Sequence, residues 1–195
     1  MNTALIVLDV QKIYTTEGSD LYCKDSSKTV DRINFLIGHF QSENLPVIYV
    51  RHQHKTDGSD AGRLFNFDGG EIEEINFLEG SVEVEYDARL SRPSKAVEII
   101  KNRYSAFRNT ELDRILRDKN IDRVAICGFM TNFCCASTAR EALDRDYYVD
   151  FVADATGSPG TDSYDEKKVR SVVTELLGSG FARVFSAKEY LKEKR

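Results

Sequence analysis

The run Val124-Ala125-Ile126-Cys127, continuing through Gly128-Phe129-Met130-Thr131-Asn132-Phe133-Cys134-Cys135 to Ala136, Ala139, Ala142 and Leu143, decides the fold class. Four apolar residues without polar alternation describe a strand covered on both faces. A glycine-bearing turn then leads into apolar residues three and four apart, which form one stripe of a helix. The same alternation recurs outward along the chain. Short runs at Thr3–Leu8, Val47–Val50, Val97–Ile100, Tyr148–Val152 and Ala182–Phe185 are separated by helical spacing at three places: Val30, Ile33, Ile37 and Phe40; Leu112, Ile115 and Leu116; and Val169, Val172, Val173, Leu176 and Leu177. Six strands alternating with helices predict an α/β fold built on a mostly parallel sheet.

One stretch breaks the pattern. From Arg51 to Ala96 the chain carries five glycines, many acids and little periodicity, so it reads as an insertion at about 51–96 in a single domain spanning 1–195. A run that long without regular structure is usually functional. At 195 residues the chain should remove roughly 70% of its unfolded surface from water, enough for a core without disulfides or structural zinc. With 27 Lys+Arg against 32 Asp+Glu, its net charge of −5 offers no basic field for nucleic acid or anionic lipid. Its apolar runs fall far short of the ~18 residues of a membrane span. Met1-Asn2-Thr3 has no positive charge, so a cytoplasmic location is expected. Cys23, Cys127, Cys134 and Cys135 show no CxxC spacing and read as reduced thiols.

Open parallel sheets bind ligands outside the carboxyl ends of their strands. That rule selects Asp9 after the first strand, Lys101 after Val97–Ile100, and Cys134 at the helix start after Val124–Cys127. A thiol in a first helical turn beside a cation is expected to have a lowered pKa, with the carboxylate as its base. Backbone N–H groups of the Gly128–Thr131 turn and the helix start are placed to receive oxyanion charge. On spacing alone, a capping Asp9, a solvated Lys101 and a buried, inert Cys134 explain the same residues.

Leu8-Asp9-Val10-Gln11, Lys101-Asn102-Arg103-Tyr104-Ser105-Ala106-Phe107 and Gly128-Phe129-Met130-Thr131-Asn132-Phe133-Cys134, followed by Ser137-Thr138-Ala139, closely resemble the isochorismatase-like cysteine hydrolase superfamily. The motifs fall in order across most of the chain, with a weaker echo at Val152-Ala153-Asp154-Ala155. The resemblance implies a six-stranded parallel sheet with helices on both faces, a Rossmann-like three-layer sandwich. It also implies a catalytic triad of Asp9, Lys101 and Cys134, a cis peptide at Phe129-Met130, and an oxyanion hole from the N–H groups of Met130 and Cys134. Cys135, where relatives carry an apolar residue, reads as packing. The expected substrate is a small molecule whose carbon–nitrogen bond, amide or carbamoyl, is cleaved through a thioester, with no cofactor. Relatives imply a homo-oligomer.

Gln11, Arg51, Phe107 and Phe129 are the substrate-binding candidates, Arg51 because a guanidinium at a strand end can grip a carboxylate. Tyr14 and Phe133 are weaker candidates for the pocket wall. Two alternatives stay open: a vinyl ether hydrolase of the isochorismatase type, which needs no thiol, and a non-catalytic thiol sensor using Cys134 and Cys135. Nicotinamidases, a third relative, bind a metal through an Asp and two His. Here the corresponding strand end reads Arg51-His52-Gln53-His54, without that Asp. The two imidazoles are half a zinc site at most, and solvated loop histidines are the simpler expectation. His39 reads as a surface residue within a helix.

Overall fold

Every residue of β1 (Thr3–Leu8) is buried, and its neighbours explain why. β1 lies between β2 (Val47–His52) and β4 (Arg123–Phe129), parallel to both. Leu5 and Val7 enter one apolar layer, while Ala4, Ile6 and Leu8 enter the other. A strand in that position has no solvent face, so its sequence shows an apolar run rather than alternation. The computed structural model describes residues 1–72 and 74–193; residues 73, 194 and 195 of the expected 1–195 span lie outside them.

The sheet has six strands in the order β3-β2-β1-β4-β5-β6, with β3 at Val97–Lys101, β5 at Tyr148–Gly157 and β6 at Arg183–Phe185. All the strand pairings are parallel. Helix α2 (Ser26–Ser42) covers one face through Val30, Ile33, Leu36, Ile37 and Phe40, joined by Tyr190 of α6 (Ala187–Glu193). Helices α3 (Leu112–Asp118), α4 (Ala136–Asp144) and α5 (Glu166–Gly178) cover the other, through Leu112, Leu116, Ala136, Ala139, Ala142 and Leu177. The α/β sandwich is as expected. None of the described helices is long and apolar enough to cross a membrane.

The chain adds strands on one side of β1 up to β3, then crosses to β4 on the other side. The topological switch therefore lies between the carboxyl ends of β1 and β4, where open α/β sheets bind ligands. Leu8 pairs with Gly128 there. Gly128 has φ +121°, and a Cβ on it would lie 1.9 Å from the Leu8 carbonyl oxygen, so only glycine fits this close approach.

Two helices escaped the sequence reading. α1 (Lys12–Thr15) is a single turn directly after the β1 edge, too short for periodicity. α6 has few apolar residues but begins with a capping box. The Ser186 backbone N–H donates to Glu189 Oε2 at 2.8 Å, and the Glu189 N–H donates to Ser186 Oγ at 3.3 Å. That Ser-x-x-Glu signature was available in the sequence. Residues 53–96 hold little regular structure beyond one 3-10 turn at Val82–Val84, yet Phe77, Val84 and Leu90 are buried in the α2-side layer.

Candidate active site

Asp9 follows β1 directly with φ +50°, a left-handed conformation that Asp tolerates better than most residues and that turns the chain off the sheet. Lys101 ends β3, in register with His52 at the end of β2. Cys134 lies in a π-helical turn, Thr131–Cys135, between β4 and α4. Four strand ends thus deliver their side chains to one place. Lys101 Nζ lies 2.8 Å from Asp9 Oδ2 and donates to Cys134 Sγ at 3.2 Å and His52 Nδ1 at 3.3 Å. Asp9 is fully buried, and Lys101 and Cys134 are 1% and 2% exposed.

Burial raises the Asp9 carboxyl above its ordinary value, against the pull of Lys101. Burial works to lower the Lys101 ammonium, but the charges of Asp9 and Cys134 outweigh it and hold that pKa up. Burial pushes the Cys134 thiol up to about 12, opposed by Lys101 and reinforced by Asp9. This corrects the expected low-pKa thiolate. Desolvation exceeds the help of one ammonium, so the thiol gives up its proton less readily than a free cysteine.

Cys134 and His52 also face a cavity of about 200 Å³, smaller than the ~300–1,000 Å³ of drug-sized pockets. Its walls are aromatic and apolar: Tyr14 and Phe77, Leu64 and Phe65, Tyr104 and Phe133, with Met130 beside Cys134. Asn76 adds a neutral carboxamide, and among the described residues no arginine lines the cavity. Phe65, Asn76 and Phe77 come from the 51–96 stretch, where an absence of periodicity hid them.

None of the four substrate-binding candidates lines this cavity. Gln11 is fully buried and spends its amide on backbone: Nε2 donates to the carbonyls of His52 and Val84 at 2.9 and 3.0 Å, and Oε1 accepts from the His52 N–H. Arg51 pairs with Glu98 on β3 at 3.3 Å and lies over the Tyr86 ring, away from the cavity. Phe107 stacks on Tyr147 in the opposite apolar layer. Phe129 lies one layer behind the wall, stacked on Tyr14 at 5.4 Å. The weaker candidates Tyr14 and Phe133 are the ones that line the cavity. The Phe129–Met130 peptide is cis. Cys135 is fully buried in the layer that holds α4, and His39 is half-buried on α2.

His52 and His54 are not solvated loop residues; they are 2% and 1% exposed. His52 continues β2 and stacks on Phe77, and the two Nε2 atoms lie 3.0 Å apart. The pair does not fit the metal set of the resemblance. The Asp is missing, and His52 could ligate through Nε2 only by turning an Nδ1–H toward the donor-only ammonium 3.3 Å away. A carboxylate oxygen of Asp9, a ring nitrogen of His52 and Cys134 Sγ lie within 4.8 Å of one another, and the Lys101 ammonium reaches all three residues.

Nicotinamidase 3 of Arabidopsis thaliana is 30% identical over 155 residues, covering 80% of this chain and 73% of that protein. Ureidoacrylate amidohydrolase RutB of Methylorubrum extorquens is 28% identical over 190 residues, covering 88% and 76%. A crystal structure of a cysteine hydrolase from Pseudomonas syringae pv. phaseolicola superimposes with a TM-score of 0.86 at 30% identity, covering 98% of this chain and 91% of the other. The Isochorismatase domain family model matches residues 3–187, and the chain belongs to that family of hydrolases.

Proposed function

We propose that the protein is a cysteine-dependent amidohydrolase acting on small, uncharged amides or carbamoyl compounds through a thioester on Cys134. The observation that carries this reading is the shared ammonium: Lys101 contacts the Asp9 carboxylate and the Cys134 sulfur together, and Cys134 faces an aromatic cavity. When a carbonyl carbon meets the thiol, Asp9 takes the S–H proton as the C–S bond forms. The carbonyl π pair moves to oxygen, where the Met130 and Cys134 N–H groups receive it. Lys101 holds the developing thiolate. Asp9 then protonates the leaving nitrogen as the C–N bond breaks, releasing amine or ammonia. Water adds to the thioester while Asp9 accepts its proton. The C–S bond breaks, the acid departs, and the proton returns to sulfur. A raised Asp9 pKa suits a group that both takes and returns a proton.

The cavity also bears on the alternatives. A vinyl ether substrate bearing carboxylates needs cations to hold them, and Lys101, the ammonium behind Cys134, already has three acceptors. A thiol sensor using adjacent cysteines is disfavoured because Cys135 packs in the interior layer rather than along the cavity. The test is ammonia release from matched amides that differ only in a distal carboxylate. The neutral member is expected to show a kcat/KM about 100-fold or more higher, since an unpaired carboxylate cannot be buried cheaply against aromatic walls. Preference for the anionic member would contradict the reading.

A further inference from the structure

Among the described residues, one polar chain leads away from the reacting groups. We propose that His52, His54 and Asp60 form a hydrogen-bonded arm with fixed tautomers that holds the Lys101 ammonium in place, making Asp60 a positioning residue for the reaction. The argument starts from donors and acceptors. An ammonium has three N–H donors and no acceptor, and those of Lys101 meet Asp9, Cys134 and His52 Nδ1. His52 Nδ1 must therefore offer its lone pair, which places the ring proton on Nε2.

That proton faces His54 Nε2 at 3.0 Å, so His54 accepts there and carries its own proton on Nδ1. His54 Nδ1 lies 3.3 Å from Asp60 Oδ1, which as a carboxylate only accepts. The donor-only cation at one end and the acceptor-only anion at the other dictate the same two tautomers independently. The Asp60 carboxylate is itself fixed by the Lys55 N–H at 2.9 Å and Asn102 Nδ2 at 3.0 Å, and its backbone carbonyl accepts from Arg103 Nη1 at 2.7 Å.

Both rings are buried, and the charges facing them are few. Lys101 and Arg103 disfavour a proton on either ring, and Asp60 favours one on His54. Burial dominates and keeps both pKa values below the ordinary imidazole value. Neutral imidazoles pass polarisation along the arm. Asp60 makes His54 a better acceptor, His54 does the same for His52, and His52 anchors the ammonium that Asp9 and Cys134 share.

The chain has three histidines, so a long-range 1H–15N spectrum of the imidazoles, assigned with His39→Gln, reads the arm directly. The expected result at pH 6–8 is an Nε2–H tautomer for His52 and an Nδ1–H tautomer for His54, unchanged by EDTA. Reversed tautomers, a charged ring, or a spectrum that shifts when metal is chelated would overturn the proposal. In the intact enzyme, Asp60→Ala should lower kcat about 10- to 100-fold, the range that small misplacements cost, with KM within about threefold. Asp60→Asn, which keeps an acceptor for His54, should recover most of it. A raised KM at unchanged kcat would mean that Asp60 only anchors the loop, and would equally overturn the proposal. The kinetic arm rests on the reading of Asp9, Lys101 and Cys134 as the reacting group. The tautomers do not, so failure of the thiol mechanism leaves the expected spectrum intact and failure of the arm alters it.

Discussion

Replacing Cys134 with alanine is expected to lower kcat for amide hydrolysis by about 10⁴-fold or more, because removing a covalent nucleophile removes the pathway rather than one contact within it. Cys134→Ser should fall nearly as far. A hydroxyl is a much poorer nucleophile than a thiol near neutrality, and Asp9 is placed for the larger sulfur. Cys135→Ala is the matched control. It removes the neighbouring thiol from the interior layer and should cost some stability while leaving turnover within about threefold. Steady-state kinetics with a neutral amide, beside urea unfolding of each variant, separates loss of chemistry from loss of fold. Amide turnover that survives in Cys134→Ala would mean that the thiol is not the nucleophile.

Lys101→Met should disable the protein in two ways that a pH series distinguishes. The side chains of Lys101 and Asp9 are both 0% exposed, and removing the cation leaves a buried carboxylate without its partner. Breaking such a pair costs about 3–5 kcal/mol at neutral pH. The sign follows from linkage. Without Lys101, the main influence opposing burial is gone, and the folded pKa of Asp9 rises further above the unfolded value near 3.8. The variant's stability is therefore fully retained below that value, where the acid is neutral in both states, and is lost as pH rises through the higher folded pKa. Urea midpoints of the variant and the parent should converge toward pH 4 and separate by pH 7. Activity should fall at every pH, by about 10²–10⁴-fold, since proton transfer by Asp9 and support of the thiolate fail together. Equal midpoints at pH 7 would mean that the buried pair contributes nothing to the fold.

The sheet and the meeting of the three candidate reacting residues were legible in the sequence for a common reason. Buried parallel strands show as apolar runs, and their carboxyl ends fall where the run stops, so Asp9, Lys101 and Cys134 were placed on one edge by position alone. The cavity wall was not legible, because Phe65, Asn76 and Phe77 sit in a loop whose path is set by tertiary contacts rather than by a repeat. Arg51 and His52 show how far strand parity matters. Adjacent residues of β2 point to opposite sides, so the chain aims the imidazole at Lys101 and sends the guanidinium to Glu98. Phe107 was misplaced because a motif match gives position along the chain, whereas the ring turns into the layer beneath α3 and α4. The thiol's raised pKa was misjudged because the sequence shows a neighbouring cation but not the depth at which both are buried.

The most direct test is mass spectrometry of the wild-type enzyme, acid-quenched during turnover of a neutral amide and digested. The expected result is an acyl adduct whose mass matches the substrate's acid fragment, on the peptide at Cys134 and absent from Cys134→Ala. An adduct on Cys23, Cys127 or Cys135 instead, or rapid turnover with every thiol unmodified at all quench times, would contradict a thioester at Cys134.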